Sequence, residues 1–145
     1  MIVLLIPIVA LLVFRGLGAA GVTLWATWAA STRWAITTIL VFTGIAHFTR
    51  VKLDMARMIP PWVPQPLAMV YFTGLCELAG AIGLVVPRLQ RLTGLMLVIF
   101  FIVILPANIY AAQAHIPIAG KAATPLWIRV PLQILLIVAT WWATR

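Results

Sequence analysis

Leu67-Ala68-Met69-Val70-Tyr71-Phe72-Thr73-Gly74-Leu75-Cys76-Glu77-Leu78-Ala79-Gly80-Ala81-Ile82-Gly83-Leu84-Val85-Val86 carries one charge, Glu77, and stops at Pro87. A helix needs about 20 apolar residues, at roughly 1.5 Å each, to cross the hydrocarbon core of a bilayer. This stretch has that length and that composition, so it reads as a membrane-spanning helix. Gly74, Glu77, Ala81 and Leu84 fall on one stripe at spacings of three and four, with Gly80 beside it. Small residues on such a stripe let a second helix approach closely, which predicts the face turned toward the rest of the protein. Glu77 lies on that face. A charged carboxylate in hydrocarbon costs at least ~2.5–3.5 kcal/mol on insertion scales. The sequence therefore predicts Glu77 pointing inward, either protonated or beside a partner.

Working outward, three more stretches have the same character: Thr32 to Thr49, Leu92 to Ala112 and Leu126 to Ala143. An apolar segment from Ile2 to about Ala20 opens the chain, interrupted by Arg15, Gly16 and Gly18. It either spans or lies partly in the interface, and we read it as a span. It lacks a basic leading region, so it does not read as a cleavable signal. No segment alternates polar and apolar residues, which argues against membrane strands. The expected fold is all-α: a polytopic transmembrane bundle of four antiparallel core helices (residues 32–145) plus an N-terminal apolar helix (residues 1–31). The composition agrees, with 65% hydrophobic and 8% charged residues in 145. A soluble domain carries roughly 25% charged residues, so the surrounding solvent must be lipid.

The net charge of +8 invites a nucleic-acid reading. The basic residues do not cluster, however. They sit singly or in pairs at the ends of apolar runs, where they meet lipid headgroups, and no nucleic-acid partner is expected. Arg15, Arg33, Arg88, Arg91 and Arg145 fall at one end of a five-span arrangement. Arg50, Lys52, Arg57, Lys121 and Arg129 fall at the other, so counting cations gives no orientation. Cys76 is the sole cysteine, which excludes an internal disulfide and any cysteine-based metal cage. The only histidines are His47 and His115, and no Glu-x-x-His repeat is present, so no metal site is expected.

Two connections differ. Pro87-Arg88-Leu89-Gln90-Arg91 is a tight basic turn that makes its helices antiparallel neighbours. Arg50 to Pro66 is longer. Its first half, Arg50 to Ile59, predicts a short amphipathic helix with Val51, Met55, Met58 and Ile59 on one face. Its second half contains Pro60, Pro61, Trp62, Pro64 and Pro66, and this density of proline forbids a regular helix. Trp62 suits headgroup depth. The segment is either a plain interfacial linker or a rigid lid, with Pro60, Pro61, Trp62 and Pro64 as the lid residues.

The polar residues within spans carry the functional information. His47 is near the end of its helix on the Arg50–Pro66 side. Glu77 is about ten residues in from that surface, roughly 15 Å deep. Asn108 ends the next helix on the same side, and Gln133 lies roughly 10 Å in from Leu126. Tyr71, Tyr110 and Arg129 fall in the same half. Four helices thus contribute polar side chains between one surface and the midplane, and the opposite half offers no comparable set. This asymmetry predicts a polar pocket made by His47, Glu77, Asn108, Gln133, Tyr71, Tyr110 and Arg129, under the proline-rich segment. Each member also has a plain structural explanation. His47 can sit at a helix C-terminus, Asn108 and Gln133 can join helices, and Arg129 can snorkel. Pro106 and Pro131 each lie inside a span, two residues before an amide side chain, and would kink their helices.

Phe42-Thr43-Gly44-Ile45-Ala46-His47-Phe48 followed by Met58-Ile59-Pro60-Pro61-Trp62-Val63-Pro64 resembles the first span and loop of the DoxX-like family of small four-span bacterial membrane proteins. Gly74 to Leu84, Pro106-Ala107-Asn108-Ile109-Tyr110 and Arg129-Val130-Pro131-Leu132-Gln133 continue the likeness over residues 32–145. The resemblance implies a four-helix bundle in the bacterial inner (cytoplasmic) membrane. It also implies a link to quinone chemistry by analogy, since the family takes its name from a subunit associated with a thiosulfate:quinone oxidoreductase. The related disulfide-forming quinone reductases need paired cysteines, which this chain lacks. No nucleophile-and-base set is visible, so catalytic residues are not assigned and an enzyme is not the favoured reading. Two functions remain. One is a non-catalytic accessory or scaffold subunit among other membrane protein subunits. The other is a quinone-linked or small-ligand protein using the pocket around Glu77, with a quinone or a bound lipid as its ligand.

Overall fold

The computed structural model describes residues 2–122 and 124–145. The chain is all-α: α1 (Ile2–Ala19), α2 (Trp28–Ala46), a single-turn-and-a-half α3 (Lys52–Arg57), α4 (Pro66–Val85), α5 (Gln90–Gln113) and α6 (Leu126–Ala143). Among the described residues there is no strand beyond one isolated bridge, Ile118 to Lys121. Helices α2, α4, α5 and α6 are each long and apolar enough to cross a membrane, and α1 is a shorter apolar helix. This is a small multi-span membrane protein, and its environment is a lipid bilayer.

Local chemistry sets the helix ends. Helix α2 begins at Trp28, earlier than the apolar pattern alone predicts, because the Thr27 hydroxyl accepts the Ala30 N–H at 3.1 Å. That bond satisfies one of the orphan donors of the first turn. It stops at Ala46, where the Thr49 hydroxyl donates to the Ala46 carbonyl at 2.8 Å. The predicted amphipathic helix over 50–59 forms only as α3, and it ends before Ile59-Pro60, since the residue preceding a proline disfavours helical backbone. No helix crosses Pro60 to Gln65, and Pro66 opens α4 at its first turn, the one place in a helix where proline fits well.

The four long helices form a closed ring in the order α2, α4, α5, α6, and α1 packs against α2 from outside. Neighbours run antiparallel. Gly44 meets Leu78 while Gly74 meets His47, and Gly80 meets Leu97 while Gly83 meets Thr93. Gly94 of α5 meets Thr144, just past the end of α6. The buried core joins Ile36 and Leu40 of α2, Ala81 and Leu84 of α4, and Leu97 and Phe101 of α5, with Leu136, Ile137 and Ala139 of α6 against it. On α4 the buried residues are Val70, Gly74, Glu77, Gly80, Ala81, Gly83 and Leu84, which is the predicted stripe widened by Val70 and Gly83.

Candidate functional site

The predicted site residues gather into separate sets, each tied to one helix pair. The first lies between α2 and α4. His47 caps the C-terminus of α2, and Glu77 sits midway along α4; both are buried. Their closest atoms, His47 Nδ1 and Glu77 Oε2, are 3.8 Å apart. That is ion-pair range but too long for a hydrogen bond. His47 Nδ1 is 2.8 Å from the Thr43 carbonyl oxygen. A carbonyl only accepts, so Nδ1 carries the hydrogen and Nε2 is the nitrogen left open. Glu77 Oε2 has no hydrogen-bond partner. The nitrogen nearest Glu77 is thus the one already bonded to Thr43, and the pair is in contact without a hydrogen bond between them.

The second set joins α5 and α6. Arg129 Nη1 donates to Asn108 Oδ1 at 3.3 Å, and Asn108 Nδ2 donates to Gln133 Oε1 at 3.3 Å. Gln133 Nε2 donates to the Phe101 carbonyl at 2.8 Å. That carbonyl lies one residue from Ile102, whose helical donor Pro106 cannot supply. The buried amide thus bonds the backbone of α5 where the proline has loosened it, as happens to prolines in membrane helices. The chain Arg129–Asn108–Gln133–Phe101 is continuous, and no hydrogen bond links it to His47 or Glu77 among the described residues.

The remaining candidates lie at the rim. Tyr71 accepts from Lys52 Nζ at 2.6 Å and packs on Phe48 with ring centroids 5.7 Å apart. Tyr110 is half-buried two residues beyond Asn108 and has no side-chain hydrogen bond among the described residues. In the proline segment Pro60 is buried, whereas Pro61, Trp62 and Pro64 are exposed, Trp62 by 74%. A contact that sequence reading did not foresee holds this segment down. Asp54 Oδ2 accepts the Ala119 N–H at 2.9 Å, which ties α3 to the turn between α5 and α6. Two shallow apolar grooves open on the outside, one along Phe42, Ile45 and Thr49, the other between α1 and Thr38 of α2. Both are lined by residues other than the polar candidates.

The opposite end also has buried polar side chains. Ser31 donates to the Trp25 carbonyl at 3.1 Å, Arg33 Nη1 to the Ala143 carbonyl at 2.6 Å, and Thr144 to the Thr140 carbonyl at 2.7 Å. Ser31, Thr140 and Thr144 are all buried. These residues look like ordinary flank residues in the sequence. The one available signal was Thr140 and Thr144, four apart and therefore on one helix face.

No group of three or more histidine, cysteine or acidic side chains is placed to hold a metal ion among the described residues. No curated protein and no solved structure matches the chain. Residues 36–144, the whole four-helix ring apart from the first turns of α2, match one family, and the chain belongs to it: a domain of unknown function, DUF8561.

Proposed function

We propose that the protein is a non-catalytic accessory or scaffold subunit of a larger membrane complex. The observation that carries this reading is the use of its polar groups. Arg129, Asn108, Gln133, Arg33, Ser31 and Thr144 all bond to the protein's own helices, while large apolar side chains such as Phe72, Ile82, Val103, Leu135 and Val138 face outward. Such a body offers rigid lateral faces to other apolar helices. The resemblance to the DoxX-like family favours a redox or electron-transfer complex of the bacterial inner membrane as the setting. On this reading residues 32–145 form the family-like unit and α1 is an additional span. The test is native electrophoresis after gentle detergent extraction from cells with and without the chain. The expected result is a large complex that contains the chain and shrinks or loses activity without it. Migration of the chain alone, with no complex altered by its deletion, overturns the reading.

A second reading is favoured by one atom, Glu77 Oε2, which is buried beside His47 without a hydrogen bond. Here the protein is a quinone-linked component or binds a small apolar ligand at Glu77 and His47, with the Pro60–Pro64 segment as a lid; Asn108, Gln133 and Arg129 of the α5–α6 set and Tyr71 and Tyr110 at the rim would enter such a site only from its edges. Glu77→Gln keeps shape and removes the ionisable proton. A variant that folds but loses ligand binding supports this reading, and one that folds and binds equally well rejects it.

A further inference from the structure

The chain has ten lysines and arginines against two acidic residues, and both acidic side chains lie elsewhere, one near α3 and one inside the bundle. Asp54 accepts from Ala119 and lies 3.7 Å from Arg57, and Glu77 is buried beside His47. The other end, formed by the start of α2, the α4–α5 turn and the end of α6, holds Arg15, Arg33, Arg88, Arg91 and Arg145 with no acidic side chain. Three of these have protein partners. Arg15 lies over the Trp28 ring at 5.1 Å and Arg145 over Trp141 at 5.7 Å, and Arg33 bonds the Ala143 carbonyl. Arg88 and Arg91 are exposed and make no side-chain hydrogen bond or ion pair among the described residues.

These arginines share a corner. Gly94 lies one turn beyond Arg91, and its backbone is in close contact with the Thr144 side chain, next to Arg145. Arg88, Arg91 and Arg145 therefore surround the junction of the α4–α5 turn with the end of α6. Trp141 and Trp142, about half exposed, stand one turn below Arg145, and Leu92 and Leu95 are exposed on the first two turns of α5. Guanidinium forks above a tryptophan and leucine surface match an amphiphile with an anionic head and apolar tails. Arginine binds phosphate bidentately, and indole rings favour headgroup depth. We infer that the Arg88–Arg91–Arg145 corner is a binding surface for the phosphate headgroups of anionic phospholipids.

Tryptophan quenching tests this with the full chain in mixed micelles, comparing brominated phosphatidylglycerol with brominated phosphatidylcholine; because the chain has seven tryptophans, the corner is read as the part of the quenching lost in Trp141→Phe with Trp142→Phe. Each cation near an anionic surface contributes about a fivefold preference, so Arg88→Gln with Arg91→Gln should lower the phosphatidylglycerol preference roughly 25-fold at low salt. Arg88→Lys with Arg91→Lys keeps the charge but loses the bidentate fork, so the preference should fall part of the way, between the unaltered chain and the glutamine variant. Arg50→Gln with Lys121→Gln, at the other end, should leave the quenching of Trp141 and Trp142 unchanged. Absence of any preference in the unaltered chain overturns the inference. So does an equal loss in the Arg50/Lys121 variant, or full displacement of the lipid by millimolar glycerol phosphate, which marks a free-anion site instead.

Discussion

Replacing Gly74 with alanine tests the tightest contact in the bundle that involves a predicted site residue. A Cβ at Gly74 would stand 2.5 Å from His47 Cβ, 2.9 Å from His47 Cγ and 3.1 Å from Phe48 Cε2. Non-bonded carbons attract at about 3.5–4.0 Å, so α2 and α4 must part by roughly 1 Å at this level. Rotamer changes give no relief, because both Cβ atoms are fixed by their backbones. Overpacking of this kind costs ~1–3 kcal/mol, and each 1.4 kcal/mol is tenfold in the unfolding equilibrium. Two other glycines calibrate the effect. At Gly44 the added Cβ meets the end of Leu78, with Cδ2 at 2.8 Å, and a leucine end can rotate, so Gly44→Ala belongs at the low end of that range. At Gly16 nothing lies within 4 Å, so Gly16→Ala should be neutral or stabilising, since alanine is the better helix former by up to about 1 kcal/mol. Unfolding in mixed micelles by a denaturing-detergent titration, followed by far-ultraviolet circular dichroism, ranks the three. The expected order of destabilisation is Gly74, then Gly44, then Gly16. If Gly74→Ala is as stable as Gly16→Ala, the α2–α4 interface does not have the register described.

The α5–α6 amide chain should behave as interhelical bonding does in membranes. Gln133→Leu and Asn108→Leu should each cost about 0.6–1.7 kcal/mol, and a double-mutant cycle by the same titration should show them coupled; strict additivity would count against a shared network. The turn Ile118-Ala119-Gly120-Lys121 has φ of 51° at Ala119 and 71° at Gly120, the signature of a tight hairpin turn that favours asparagine or glycine at the first position. Ala119→Asn should therefore stabilise the chain by up to ~1 kcal/mol, and a loss of stability would mean that the turn has another geometry. For the α3 tether, Asp54→Ala should speed amide hydrogen exchange at Ala119 and expose Arg57 to aqueous protease, while Asp54→Asn, which keeps an acceptor oxygen, should do so less. Equal exchange in both variants and the unaltered chain would show that the contact does not hold α3 in place.

The spans were legible because length and hydrophobicity answer to the bilayer alone. Leu67 to Val86 differs from α4 by one residue at each end, and Leu126 to Ala143 coincides with α6. Helix α5 starts two residues before Leu92 and ends one after Ala112, and the larger errors lie where a hydroxyl decides an end. Thr27 starts α2 at Trp28 and Thr49 helps finish it at Ala46, and neither event leaves a trace in hydropathy. The inward rotation of α4 was legible for a similar reason, since a stripe of small residues has a meaning only against another helix, and Glu77 came with it.

The rotation of the other helices was not legible. Depth along the membrane normal places His47, Glu77, Asn108 and Gln133 in one half, but depth is a single coordinate, and convergence requires the other two. The ring order α2, α4, α5, α6 puts His47 and Glu77 on one adjacent pair and Asn108 and Gln133 on another. Arg129, Asn108 and Gln133 then bond across or along the α5–α6 interface, because in hydrocarbon a neighbouring helix is a near way to satisfy a donor, whereas His47 bonds the Thr43 carbonyl of its own helix. Arg33 follows the same rule at the other end, where it reaches the last carbonyls of α6, although its sequence position suggested only a flanking charge. Within this logic Glu77 is the exception. Two buried atoms of the polar sets lack a hydrogen bond, Arg129 Nε and Glu77 Oε2; the Arg129 guanidinium still bonds Asn108 through Nη1, whereas Glu77 Oε2 has an imidazole 3.8 Å away. An interface that needed only a structural bond would be served by glutamine at this position, so the ionisable oxygen is the feature a purely structural account of α4 leaves unexplained.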